Sequence, residues 1–292
     1  MRGSSRAPLT GPRWILGGLL LVCSWLVADA ALTYAGRPRG SPVSALGWVV
    51  PETWLGSQAL LLACKLVFLG AAAAWLARRW LPTSAWVTAL AFIAVGSLYW
   101  ENLPWFRHKY VPPAMLLVAH ALASHEARAR DGRAPTWLGP LCVAAIALFY
   151  ALSGLSKLIA VGPSWADGLS LQLWLAWLGD QDAFLTRLLL SDRLYARAAQ
   201  TFVLVVELAA LVALASPTAR RLVGCALVIA HAAIDATLHI DFRSQIALVV
   251  LYFGAPWERF VDPRSRRGAS PGPAPRCALR RRATRTAPSR RR

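Results

Sequence analysis

The chain has 292 residues, of which 57% are hydrophobic and only 16% charged, and its formal net charge is +18. Soluble globular domains are not normally so apolar, and the apolar residues here fall in blocks long enough to cross a bilayer. That excludes an ordinary soluble fold, and the lack of period-2 strands at turn spacing argues against an outer-membrane barrel, leaving an all-α, polytopic transmembrane helical bundle.

Eight apolar segments follow one another, at about 14–35, 57–77, 83–101, 109–126, 137–161, 198–216, 220–239 and 243–257. The longer ones approach the ~20 residues needed to cross ~30 Å of hydrocarbon. Arg2, Arg6 and Arg13 precede the first, and Ala28-Asp29-Ala30 also reads as a small-residue cleavage site. The apolar run continues to Ala35, which favours a membrane helix over a cleaved signal. The fourth segment is short or polar. The eighth, Arg243 to Trp257, reaches only ~22 Å at 1.5 Å per residue, so it either spans with little tilt or re-enters.

With the N-terminus in the cytoplasm, 22 of the 32 Lys and Arg residues fall on the inside and 8 on the outside. That asymmetry predicts both termini inside and an even number of spans. Trp14, Trp54, Trp80, Trp86, Trp105, Trp137 and Trp257 stand near segment ends, as interface anchors do. In the long outer stretch 162–196, Leu169, Leu173, Trp174, Trp177 and Leu178 recur at helical spacing, and Ala183 to Leu190 does so again. Two short amphipathic helices lying in the outer interface are expected, either as simple cover for the bundle or as a lid over a site.

The transmembrane domain is expected to occupy residues 1–260. Twelve arginines lie after Pro256, most of them in a stretch rich in Pro, Ser and Ala. Residues 261–292 cannot bury a core and are predicted to be a disordered cytoplasmic tail that anchors topology and touches anionic lipid. No aromatic interleaving or folded module points to nucleic acid. Cys23, Cys64, Cys142 and Cys225 lie inside apolar segments without a CxxC pair, so neither a disulfide framework nor cysteine-bound metal is expected.

Ionisable residues within a bilayer are rare and mark sites or internal pairs. Asp29 and Lys65 fall at similar depth in the outer half and are predicted to form a structural ion pair. Glu207 and His231 fall near the midplane, where they can bond between helices. His231, Asp235 and His239 recur at i, i+4 and i+8 on one face. The two histidines are ~12 Å apart along the axis and cannot share one metal, so no metal site is expected and a polar stripe along an outward cavity is preferred. Lys157, one of only three lysines, ends the fifth segment and precedes Gly162-Pro163-Ser164-Trp165-Ala166-Asp167-Gly168. It is either a snorkelling anchor or a general base. As a base it should face a cavity between spans, with Trp165 or His108 at the rim and the 162–196 stretch above. No phosphate loop, zinc-protease or serine-hydrolase motif occurs.

The run Phe149-Tyr150-Ala151-Leu152-Ser153-Gly154-Leu155-Ser156-Lys157-Leu158, then Trp165-Ala166-Asp167-Gly168, resembles the membrane core of vitamin K-dependent γ-carboxylases and of the wider HTTM (horizontally transferred transmembrane) family. Leu188-Leu189-Leu190-Ser191, Glu207, Arg220-Arg221, His231, the turn Ile240 to Arg243 and Pro256-Trp257 follow in the family's order, and His108-Lys109-Tyr110 resembles its Asn-His-x-Tyr element. The resemblance covers about 100–260 and is strongest over 145–260. It implies that Lys157 is the base that deprotonates a reduced quinone and that His108 steadies the reacting intermediate. Trp165, Glu207, His231, Asp235 and His239 are expected around the substrate.

Arg107 stands where the family has Asn, and Asp241 where it usually has Gly. Fewer than 40 residues follow the last segment, so carboxylation of a protein substrate is not expected. Bacterial stand-alone members that resemble peptide-toxin maturation factors suggest a second role, as partner of a small secreted peptide or an extracytoplasmic protein. A third reading is a mainly structural member. The expected location is a bacterial cytoplasmic membrane.

Overall fold

The computed structural model describes residues 13–32, 44–102, 108–129 and 134–257. Every regular element among them is helical. Five stretches are long and apolar enough to cross a membrane. They are α4 (Gln58–Leu76), α5 (Thr83–Glu101), α7 (Leu138–Val161, continued in a 3-10 turn to Ala166), α10 (Arg193–Leu208, continued to Leu214) and α11 (Pro217–Leu238). The chain is thus a multi-pass membrane-type helical protein. Three further helices pack among these: α1 (Arg13–Asp29), α6 (Val111–Ala129) and α12 (Arg243–Phe253). Short helices α2 (Ala45–Val49), α3 (Glu52–Leu55), α8 (Leu169–Leu178) and α9 (Phe184–Ser191) complete it. The tail, Trp105 and Arg107 lie outside the described residues.

The packing turns apolar side chains outward and polar ones inward. Leu62 and Leu66 of α4, Leu152 and Ile159 of α7, and Leu222 and Ile229 of α11 point outward, whereas Thr88, His120, Gln200, Glu207 and His231 are buried. A helix closes its own backbone hydrogen bonds, so apolar side chains can face hydrocarbon while polar ones pair inside. At the centre, Phe68, Phe92, Tyr99 and Tyr110 form an aromatic cluster with ring centroids 5.2–5.9 Å apart. Tyr110, in the 3-10 turn that leads into α6, also donates its hydroxyl to Leu26 O at 2.8 Å, tying that turn to α1.

Some boundaries differ from the sequence reading. α1 ends at Asp29, not Ala35, and residues 30–32 are not helical. α10 begins at Arg193 rather than near 198, because the Asp192 side chain accepts from Leu194 N at 2.7 Å and caps it. The two short helices expected within 162–196 are α8 and α9. α12 has 11 residues, about 16 Å at 1.5 Å per residue. It is held by close packing of Gly18 on Leu251 and of Gly224 on Phe253. Buried Arg220 of α11 donates to Phe253 O and Ala255 O at 3.3 and 3.2 Å, closing the carbonyl end of α12 with a cation.

Candidate functional site

One face of α7 carries Tyr150, Ser153, Gly154 and Lys157, three or four residues apart and hence stacked on one side. Gly154 lets α10 approach: a Cβ there would stand 3.1 Å from Glu207 Cβ and from Leu208 Cγ. The helices therefore pack closely enough for the Lys157 ammonium to pair with the Glu207 carboxylate. Ser153 donates to the other oxygen of that carboxylate at 3.3 Å. Lys157 keeps 23% side-chain exposure and Glu207 only 9%. The pair is thus mostly withdrawn from solvent and reachable from the lysine side.

The motif that follows α7 supplies the cover. Trp165 places its ring 4.9 Å from Lys157 Nζ, a cation–π contact. Asp167 accepts from Leu169 N at 2.8 Å and from Arg193 at 3.1 Å, which starts α8 and pins the turn to α10. Gly168 has φ +90°, a conformation that favours glycine, and its N–H donates to buried Gln200 Oε1 at 2.7 Å. Gln200 in turn donates to Ser170 at 2.8 Å. The Trp-Ala-Asp-Gly run thus fixes a tryptophan over a lysine by locking a turn onto the neighbouring helix.

Five further rings lie on the elements around the pair. His231 of α11 shares a 2.8 Å hydrogen bond with the Tyr150 hydroxyl and stacks on Phe242 at 4.5 Å. Its Nδ1 is buried with no hydrogen-bond partner among the described residues. His108 packs edge-on against Phe149 at 6.3 Å. Burial and the nearby Lys157 ammonium push the His108 pKa below its ordinary value, so the imidazole is neutral at pH 7. His231 reaches the group through Tyr150, two turns before Lys157 on the same face of α7. Lys157, Glu207, Trp165, His108 and His231 therefore share one neighbourhood, while Tyr150, Ser153, Gln200 and Phe242 were not singled out from sequence. The i−4 and i−7 spacing of Ser153 and Tyr150 from Lys157 was the available signal.

Other expected placements differ. Glu207 and His231 do not bond to each other, His231 taking the Tyr150 hydroxyl instead. Glu207 meets Lys157, only four residues before the end of α7, because Gly154 lets α10 pack closely on α7 there. Asp235 and His239 do not join the group. His239 caps α11 in a left-handed conformation, 66% exposed, and approaches Asp180 at 3.7 Å. Arg243, at the start of α12, is held by Asp241 at 3.0 Å, with Asp235 a lesser influence. Nor do Asp29 and Lys65 form the expected pair. Asp29 takes Lys109 at 2.5 Å, and Lys65 donates to Ala30 O at 2.6 Å and Ala28 O at 3.3 Å. The reason is local: where α1 ends, its last carbonyls lack intrahelical partners and attract the nearer ammonium. With Asp29 half exposed, a double-mutant cycle on Asp29 and Lys109 should give a coupling of about 1 kcal/mol or less, and one on Asp29 and Lys65 a smaller value. The reverse order in thermal unfolding would refute this assignment.

Among the described residues, no group of three or more His, Cys, Asp or Glu is placed to hold a metal ion. The arrangement is instead an ammonium–carboxylate pair roofed by an indole and flanked by two imidazoles. It can accept and donate protons, and it can hold an oxyanion. No family model, no curated protein and no solved structure matches the chain.

Proposed function

We propose that the protein is an eight-span membrane protein of the HTTM type, with both termini in the cytoplasm of a bacterial cell, whose Lys157–Glu207 pair performs acid–base chemistry on a lipid-soluble hydroxyl substrate such as a reduced quinone. The observation that supports this most is the convergence of Lys157, Glu207 and Trp165 at the end of α7, in a pair that is shielded yet open on the lysine side. Proton transfer within the pair would leave a Lys157 amine beside a protonated Glu207, and a quinol arriving laterally from the outer half of the bilayer would give its hydroxyl proton to that amine. Its oxygen, now an anion, would rest against the Lys157 ammonium. Neutral His108 offers a further polar contact to the ring oxygens. A bound quinone would supply the redox capacity that these side chains lack.

The test is spectroscopic. A hydroquinone analogue bound to the wild-type protein should show the absorbance of its anion near pH 7. Lys157→Arg keeps charge but cannot deprotonate, and Glu207→Gln removes the carboxylate. Both should still bind and show the neutral spectrum. An anion spectrum that survives both changes, or no binding to the wild type, would overturn the proposal.

One observation favours a second reading, in which the protein matures or shields a small secreted peptide. Leu173, Trp174 and Trp177 of α8 and Phe184 of α9 form an exposed apolar surface on the Lys157 side of the bundle. A photocrosslinker at position 177 would capture the co-expressed peptide on that reading, and only lipid if α8 lies in the membrane interface.

A further inference from the structure

Ionisation of a substrate hydroxyl at the Lys157–Glu207 pair leaves one proton to be removed. Once the substrate anion rests against the Lys157 ammonium, the added proton stands on the Glu207 carboxyl group. Glu207 is only 9% exposed, so its proton needs a carrier to reach water. Its neighbours form one. Ser153 already meets Glu207 Oε1 at 3.3 Å, and Tyr150 lies one turn before Ser153 on the same face of α7. The Tyr150 hydroxyl and His231 Nε2 share a 2.8 Å hydrogen bond that crosses from α7 to α11.

His231 has a second proton site. Its Nδ1 is buried and makes no hydrogen bond among the described residues, an arrangement that is costly to keep and calls for a function. Asp235 follows four residues later, one turn nearer the end of α11 at Leu238. Side chains on a helix lean toward its N-terminus, so a carboxylate at 235 leans back toward the ring at 231. Asp235 is half-buried, and its carboxylate makes no hydrogen bond or ion pair among the described residues. Arg243 is already bonded to Asp241 at 3.0 Å.

We propose that Ser153, Tyr150, His231 and Asp235 form the proton exit of the site, a path that rests on the acid–base reading above. The carboxyl proton of Glu207 passes to Ser153, the Ser153 proton to Tyr150, the Tyr150 proton to His231 Nε2 and the Nδ1 proton to Asp235, which releases it to water at the end of α11. Each group between takes one proton and gives one. The pair returns to ammonium and carboxylate, and the net change is one proton moved from Glu207 to solvent. His231 suits the crossing because its two ring nitrogens let it accept on one side and donate on the other. Asp235 stands outside the group around Lys157 and acts through His231.

The plainer account is that Asp235 is a solvated carboxylate that helps to balance Arg243. Asp235→Asn separates the two, because the amide keeps the shape and cannot take a proton from imidazole. The full-length protein in detergent is mixed with menadiol under argon in weak buffer. The menadiol anion is followed by its absorbance, and the released proton by a pH-indicator dye. In the wild type the two signals should rise together. In Asp235→Asn the anion should form as before while proton release slows about 100-fold, the low end for a positioned proton-transfer group. Tyr150→Phe should slow release as well. Asp235→Glu keeps a carboxylate and should release close to the wild-type rate, a rescue that a merely structural role would not give. Release from Asp235→Asn at the wild-type rate, or an equal lag in Asp235→Glu, overturns the exit path and leaves the acid–base reading standing. No anion in the wild type overturns that reading, and the path with it.

Discussion

Glu207→Ala should destabilise the protein by about 3 kcal/mol, because it strands the Lys157 ammonium in a site built for a pair. That is the low end of the range for buried pairs, since Lys157 retains 23% exposure. Lys157→Ala should cost a similar amount, as it strands a carboxylate that is only 9% exposed. Lys157→Met with Glu207→Leu removes both charges and should recover most of the loss. Denaturant unfolding in micelles measures all three. Additive losses would mean that the two residues are not coupled, and the site would lose its central interaction. Lys157→Arg should unfold close to the wild type, which is why it suits the chemical test: it changes proton transfer with little change in stability.

Gly168→Ala should be at least as damaging, at about 3–5 kcal/mol from backbone strain and overpacking together. The residue sits at φ +90°, and a Cβ there would meet Arg193 O at 2.7 Å and Arg197 N at 2.8 Å. Both are backbone atoms of α10 and cannot step aside as a flexible side chain would. The turn would have to lift off α10, taking the Gln200 bond and the Trp165 contact with it. Gly162→Ala is the matched control. It has φ +73° but nothing within 4 Å of the added Cβ, so only a strain of about 1–3 kcal/mol applies. Equal losses at the two positions would show that strain alone, and not the close approach to α10, requires glycine at 168.

The charge pattern also has a consequence at low pH. His108 has its pKa lowered in the folded protein. Below the ordinary imidazole value of about 6.5 the unfolded chain takes up this proton before the folded one does, so stability contributed here falls as pH drops through that value.

Much of this molecule could be read from composition and spacing. Blocks of leucine, valine and alanine about 20 residues long must either aggregate or meet lipid, so membrane-type helices follow from the sequence without further information. The motif around Lys157 was likewise legible, because an ammonium in an apolar helix needs a partner and a left-handed turn needs its glycine. Partner choice was not legible. Depth counted along isolated segments paired Asp29 with Lys65 and set Glu207 beside His231, but it assumes that every helix begins where its apolar run begins. α10 starts at Arg193, five residues earlier than its apolar run, and Glu207 meets Lys157 where Gly154 brings α10 against α7. Lys109, next to the recognised His108, takes Asp29 because α6 packs against α1 there. The same holds for Tyr150 and His231, which are 81 positions apart and bond only once α7 and α11 are packed. Periodicity along one chain segment encodes which face of a helix is apolar. Which charges meet depends on the offsets between helices, and those are set by close contacts such as Gly154 on Glu207 that exist only in the assembled bundle.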